Sequence, residues 1–149
     1  MNPHASRNLK TAVGALAAFL ILAVGCAKAP PPKPMSINPT DSCFYCKSAI
    51  QERFAAEFAS KNGFIRKFDD MGCLIADVKK VGKKNVIAVF VMDVQSKTWM
   101  PGESAFFVRS DKLLTPQKSG IVAFKDEAKA KELATQIQGE LLKIGDLLK

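Results

Sequence analysis

Four cysteines, Cys26, Cys43, Cys46 and Cys73, and one histidine, His4, bound the chemistry open to this chain. Cys43-Phe44-Tyr45-Cys46 can present two sulfurs to one soft ion or to each other, because two intervening residues let the chain turn back. Thiolate and thioether ligands favour Cu(I), whereas structural zinc sites generally take four protein ligands, often including histidine. A small disulfide loop between Cys43 and Cys46 is the competing resting state. Among the methionines, Met71 and Met92 fall within apolar runs and read as packing. Met100, beside Trp99 and just before Pro101-Gly102, sits near a turn and is the thioether candidate.

Cys26 belongs to different chemistry. Arg7 and Lys10 form a basic region, Ala15 to Val24 an apolar run, and Leu22-Ala23-Val24-Gly25-Cys26 a lipoprotein-type cleavage box. Residues 1–25 therefore read as a signal peptide and Cys26 as the acylated anchor, holding the protein in the cell envelope with its domain facing the periplasm or the cell exterior. The uncharged run from Thr11 to Gly25 is shorter than the roughly 20 residues a spanning helix needs. Cleavage removes His4 and leaves a chain of about 120 residues, enough for one domain with a core. Only Cys and Met sulfur and oxygen donors then remain for a metal. In an oxidising compartment three cysteines cannot all pair within one chain, so one thiol stays free, or the set holds a soft ion, or a partner supplies a fourth sulfur.

The formal charge of the whole chain is +8. It falls to about +6 once the leader is removed, with the lysines spread over turns and helix faces and no arginine cluster beside aromatics. Nucleic acid is a poor fit; anionic lipid or an acidic partner is the plainer use.

The elements that must position the cysteines follow from patterning. Ala27 to about Pro39 is proline-rich and reads as an extended spacer, so residues 26–40 form a lipidated linker and residues 41–149 the domain. FAAEFA and FIRKF flank Ser60-Lys61-Asn62-Gly63, predicting a β-hairpin between Phe54 and Phe68. Asp69 or Asp70 caps a helix whose stripe is Met71, Leu74, Ile75 and Val78, ending near Val81-Gly82. With Asp70 as the cap, Cys73 is the third helical residue, where unsatisfied backbone N–H groups favour a thiolate while the two aspartates oppose it. On a helical wheel Cys73 points away from the stripe, and is expected outside the core. Val86 to Met92 predicts a central strand covered on both faces. Strands are also expected at Ala105 to Arg109 and Ile121 to Phe124, separated by a loop with Pro116 and Gly120 as breakers. A last helix starts at Asp126, carries Ala130, Leu133, Ala134 and Ile137 on one face, and stops at Gly139. The sum is an α+β domain with a mainly antiparallel sheet, a hairpin, a short central helix and a C-terminal helix.

DSCFYC at Asp41 to Cys46, FDDMGCL at Phe68 to Leu74, Met92-Asp93 followed by Trp99 and AFFV to Val108, and TPQKSGIVAF at Thr115 to Phe124 resemble the NosL-type accessory lipoproteins of nitrous oxide reductase maturation. The resemblance runs from Asp41 to about Asp146. It implies a membrane-anchored, periplasm-facing Cu(I)-binding metallochaperone, not an enzyme, that supplies copper to a reductase's copper centre, and a fold similar to part of organomercurial lyase. Cys43, Cys46 and Cys73 are the ligands that carry over. The pattern departs where the family has Cys-x-x-Cys-Gly-Met and this chain has Lys47 and Ser48, and where Thr-Pro-Met becomes Thr115-Pro116-Gln117.

Other functions compete. A thiol-disulfide oxidoreductase shares the Cys-x-x-Cys motif, although here it follows a proline-rich spacer and not a βα junction. Cys43 to Lys47 also has the Cys-x-x-Cys-Lys form of a lysine-ligated haem attachment site. A non-catalytic docking lipoprotein with structural cysteines completes the set.

Overall fold

The computed structural model describes Pro31–Lys149. The leader, the anchor reading at Cys26 and the first residues of the spacer lie outside the described residues. Chain order is β1 (Ala56–Ser60), β2 (Ile65–Phe68), α1 (Met71–Val81), β3 (Val86–Met92), β4 (Trp99–Pro101), β5 (Phe106–Arg109), β6 (Ile121–Phe124), α2 (Glu127–Ile137), β7 (Glu140–Leu142) and α3 (Ile144–Leu147). One antiparallel sheet runs β2-β1-β3-β4 and a second runs β6-β5-β7. This is an α+β fold, with two antiparallel sheets in place of one.

The expected hairpin forms through Asn62-Gly63, pairing Ala56 with Phe68 and Ala59 with Ile65. Helix α1 starts where Asp70, in extended backbone, accepts the Gly72 N–H at 2.6 Å, and it ends at Gly82. Its Met71, Leu74 and Val78 enter the core with Phe58 and Phe68 from the hairpin, Val89 and Val91 from β3, and Phe107, Ile121 and Ala123 from the second sheet. Burial of each large side chain contributes about 1.5 to 3 kcal/mol, which is how α1 is fixed across both sheets. The alternate residues Val108, Val122 and Phe124 face the other way, against Ala130 and Ala134 of α2. Successive strand residues point to opposite faces, so covering both faces of the second sheet makes all four β6 residues buried.

Two expectations change. β3 is an interior strand, but only Val89 to Met92 are buried and Ile87 is 53% exposed. The reason is β4, whose three residues pair only with Phe90, Val91 and Met92 and leave the first half of β3 bonded on one side. At the end of α2 the left-handed residue is Gln138 (φ 56°), not Gly139, whose N–H then donates to Ala134 O at 2.7 Å. The expected C-terminal helix is followed by β7 and the single turn of α3, neither anticipated. Polar contacts of the domain also reach back into the spacer: Met35 N–H donates to Glu57 Oε1 at 3.0 Å and Lys67 Nζ to Ser36 O at 2.6 Å.

Candidate metal centre

The segment from Ser42 to Ala49 forms a tight turn closed by a single bridge between those two residues. Cys43 N–H donates to Ser48 O and Lys47 N–H to Cys43 O, at 2.8 and 3.0 Å. Lys47 closes the turn with a left-handed backbone (φ 67°), a conformation that favours glycine. Phe44 N–H donates to Lys67 O at 2.8 Å, which ties the turn to β2 one residue before that strand ends. The chain then runs through Phe68, Asp69 and Asp70 into α1, so the tie sets the two turn cysteines over the start of the helix.

There Cys43, Cys46, Cys73 and Asp69 converge. One ligating atom from each, three sulfurs and a carboxylate oxygen, all lie within 4.8 Å of one another. The three cysteines are unpaired thiols. Cys43 is fully buried, Cys73 is 4% exposed, and Cys46 is half-buried, which makes it the sulfur nearest to solvent. The burial of Cys73 corrects the helical-wheel expectation. Its direction off the apolar stripe is right, but that side of α1 faces the cysteine turn instead of water.

The adjacent aspartates divide the work. Asp70 caps α1 through Oδ1, and its Oδ2 accepts the Gln117 N–H at 3.0 Å. Asp69, one residue earlier, accepts the Cys46 S–H at Oδ1 (3.3 Å) and the Gln117 side-chain amide at Oδ2 (3.4 Å). The loop from Thr115 to Gly120 is thus a further wall of the site. It sits close because Gly72 has no side chain: a Cβ there would lie 2.9 Å from Ser119 Cβ. At its far end Gly120 holds φ +64°, and a Cβ would come within 2.2 Å of Ser110 O.

Burial pushes the Cys43 and Cys73 thiols above their ordinary value of 9.0, and for Cys73 the neighbouring cysteines add to the rise. The buried sulfurs are therefore protonated at neutral pH without a cation, and any cation that binds them must displace those protons. Three sulfurs and one carboxylate suit a soft ion, with the sulfurs as the stronger donors.

Of the residues singled out from sequence, Cys43, Cys46 and Cys73 come together. Met100 is buried in β4 opposite Val91, within the core cluster that also holds Met71, Cys43 and Cys73. Cys26 lies outside the described residues. In sequence Asp69 reads as a possible cap and a charge near Cys73, and Gln117 as a departure from a motif, and neither is marked as part of the site. The signal for Asp69 was the doubled aspartate, since only one of two neighbours can cap a helix and the other is free to face the thiols.

A family model described as NosL matches residues 34–149. No curated protein matches the chain. Among solved structures the chain is similar to the crystal structure of the copper chaperone NosL from Shewanella denitrificans, with 18% sequence identity and a TM-score of 0.69, over 78% of this chain and 96% of that one. That likeness carries the fold, and the family match spans nearly all of the described residues: the chain belongs to the NosL family.

Proposed function

We propose that the protein is a copper carrier that binds Cu(I) through Cys43, Cys46 and Cys73 and passes it to another protein. The convergence of three thiols and one carboxylate within 4.8 Å is the observation that carries the reading. The NosL family membership and the copper chaperone among the similar structures agree with it.

The cargo meets Cys46 first, because it is the sulfur least buried. The Cys46 proton is already directed at Asp69, so bond formation to the metal and transfer of that proton to the carboxylate or to water run in one direction. Cys43 and Cys73, deeper and harder to ionise, then complete the sulfur set, each thiol that binds losing its proton. Release reverses the order as an incoming thiolate or thioether displaces Cys46. One accessible and two sheltered sulfurs suit stepwise entry and release of the ion.

We further propose that acylated Cys26 anchors the protein to a membrane lipid layer with the domain facing the periplasm, and that the recipient is the copper centre of a nitrous oxide reductase or a related copper protein. The leader pattern and the family support these assignments. The metal reading is tested by anaerobic titration of the reduced protein with a coloured Cu(I)–chelator complex. Withdrawal of one Cu(I) per protein is expected, and a chelator that keeps its copper at neutral pH would exclude the reading.

A further inference from the structure

We propose that the Phe44-Tyr45 tip of the cysteine turn is a docking face for the protein that exchanges copper with this one, and that this partner presents carboxylates to it. This rests on the copper-carrier reading and adds where, and by what chemistry, the exchange partner is recognised.

Phe44 and Tyr45 are 44% and 39% exposed, although both lie between cysteines that face the buried site. Cations are held against both rings. Lys47 Nζ lies 4.7 Å from the Phe44 ring centre and donates to Phe44 O at 2.6 Å, while the Arg66 guanidinium approaches the same ring to 4.2 Å. Lys80 Nζ, from α1, lies 4.3 Å from the Tyr45 ring centre. Arg66 is paired with the buried Asp77 at 2.7 Å, but Lys47 and Lys80 form no ion pair among the described residues. Lys47 moreover occupies the left-handed position that glycine would fill without strain. Its ammonium, turned back onto the Phe44 ring and carbonyl, keeps an exposed positive charge next to the half-buried Cys46.

Exposed aromatics with cations stacked on them form a contact surface that loses little freedom on binding and attracts negative charge. Complementary charge raises association rates in a salt-dependent way and rejects partners of the wrong sign. A protein fits better than an anionic membrane surface. Copper leaves past Cys46, at the base of this tip, and whatever covers the tip must bring a soft ligand to that sulfur, which a lipid headgroup does not.

The test uses the full chain, reduced, in lipid nanodiscs. Two synthetic acceptor peptides carry the same pair of cysteines, flanked in one by glutamates and in the other by lysines. Copper transfer to the acidic peptide is expected to be roughly tenfold faster at low salt, and the advantage to vanish at high salt and to fall in a Lys80→Glu variant that keeps its Cu(I) affinity against a chelator. A serine version of the acidic peptide, which cannot take copper, should protect the Lys47 and Lys80 amines from acylation in the metal-free protein. That arm separates the two claims, since protection without any Cu(I) binding would retain the docking face and discard the copper reading. Equal transfer to both peptides, no protection by the serine peptide, or protection of the two lysines by anionic nanodisc lipid in its place would overturn the proposal.

Discussion

At the scale of single residues, the thiols differ in what they contribute. Cys43 and Cys73 sit in the core, so Cys43→Ser or Cys73→Ser places a hydroxyl among apolar neighbours and should cost about 1 to 3 kcal/mol of stability by denaturant unfolding. Cys46→Ser, at a half-buried position, should leave stability within about 0.5 kcal/mol while weakening Cu(I) binding as much as either core variant does. A Cys46→Ser protein that keeps full copper affinity would remove Cys46 from the ligand set. Glu57 carries a separate prediction. Its carboxylate is enclosed in β1, Oε1 accepts from Met35, Oε2 has no partner among the described residues, and burial pushes its pKa from 4.5 up to about 7 against the weaker pulls of the Met35 N–H and Lys67. A raised folded-state pKa means that the protonated group is the stable one. Its contribution is complete below pH 4.5 and is lost as pH rises through about 7, a change on the order of 3 kcal/mol. Glu57→Gln should therefore flatten stability across that window and exceed the parent above it. Falling stability of the Gln variant over the same range would place the titration elsewhere. In sequence Glu57 is one acid in a hairpin, and nothing in its spacing reveals that the spacer near Met35 folds back over it.

At the scale of elements, the site depends on two close approaches. Gly120→Ala puts a methyl group into Ser110 O while demanding a left-handed backbone from alanine, and should destabilise the domain by about 2 kcal/mol or more. Gly72→Ala meets Ser119 instead, so the loop must retreat from the start of α1 and Gln117 loses its hold on Asp69 and Asp70. The expected signature is a modest loss of stability with faster amide exchange at Gln117; unchanged exchange there would show that the loop does not depend on this contact. The long elements were legible because their signals are redundant: α1 has a capping aspartate, a four-residue stripe and a terminal glycine, and β3 is an unbroken β-branched run. β7 and α3 were not, being three and four residues long, too short for either period to register. The burial of Cys73 escapes the helical pattern for a related reason. A helical wheel fixes direction relative to the stripe, but it contains no information about an irregular turn that covers the other side.

For the whole molecule, the two sheets share one core, and the cysteine site lies at its margin, with Cys43 and Cys73 inside the core and Cys46 packed at its edge. Class and antiparallel pairing followed from the order of hairpin, helix, strands and helix. The split into two sheets did not, because strand patterns show which faces are buried and leave open which strands are neighbours. Anchoring also belongs at this scale. Mass spectrometry of the protein extracted from membranes should find Cys26 as the first residue, carrying acyl chains, and a mature N-terminus elsewhere or an unmodified Cys26 would contradict anchoring through that residue. The metal centre is the central claim, and X-ray absorption at the copper edge of the reduced protein loaded with one equivalent of Cu(I) tests it most directly. A first shell made of sulfur alone, thinned by one scatterer in each of Cys43→Ser, Cys46→Ser and Cys73→Ser, is the predicted result; a shell of oxygen and nitrogen, or one unaffected by these substitutions, would contradict it.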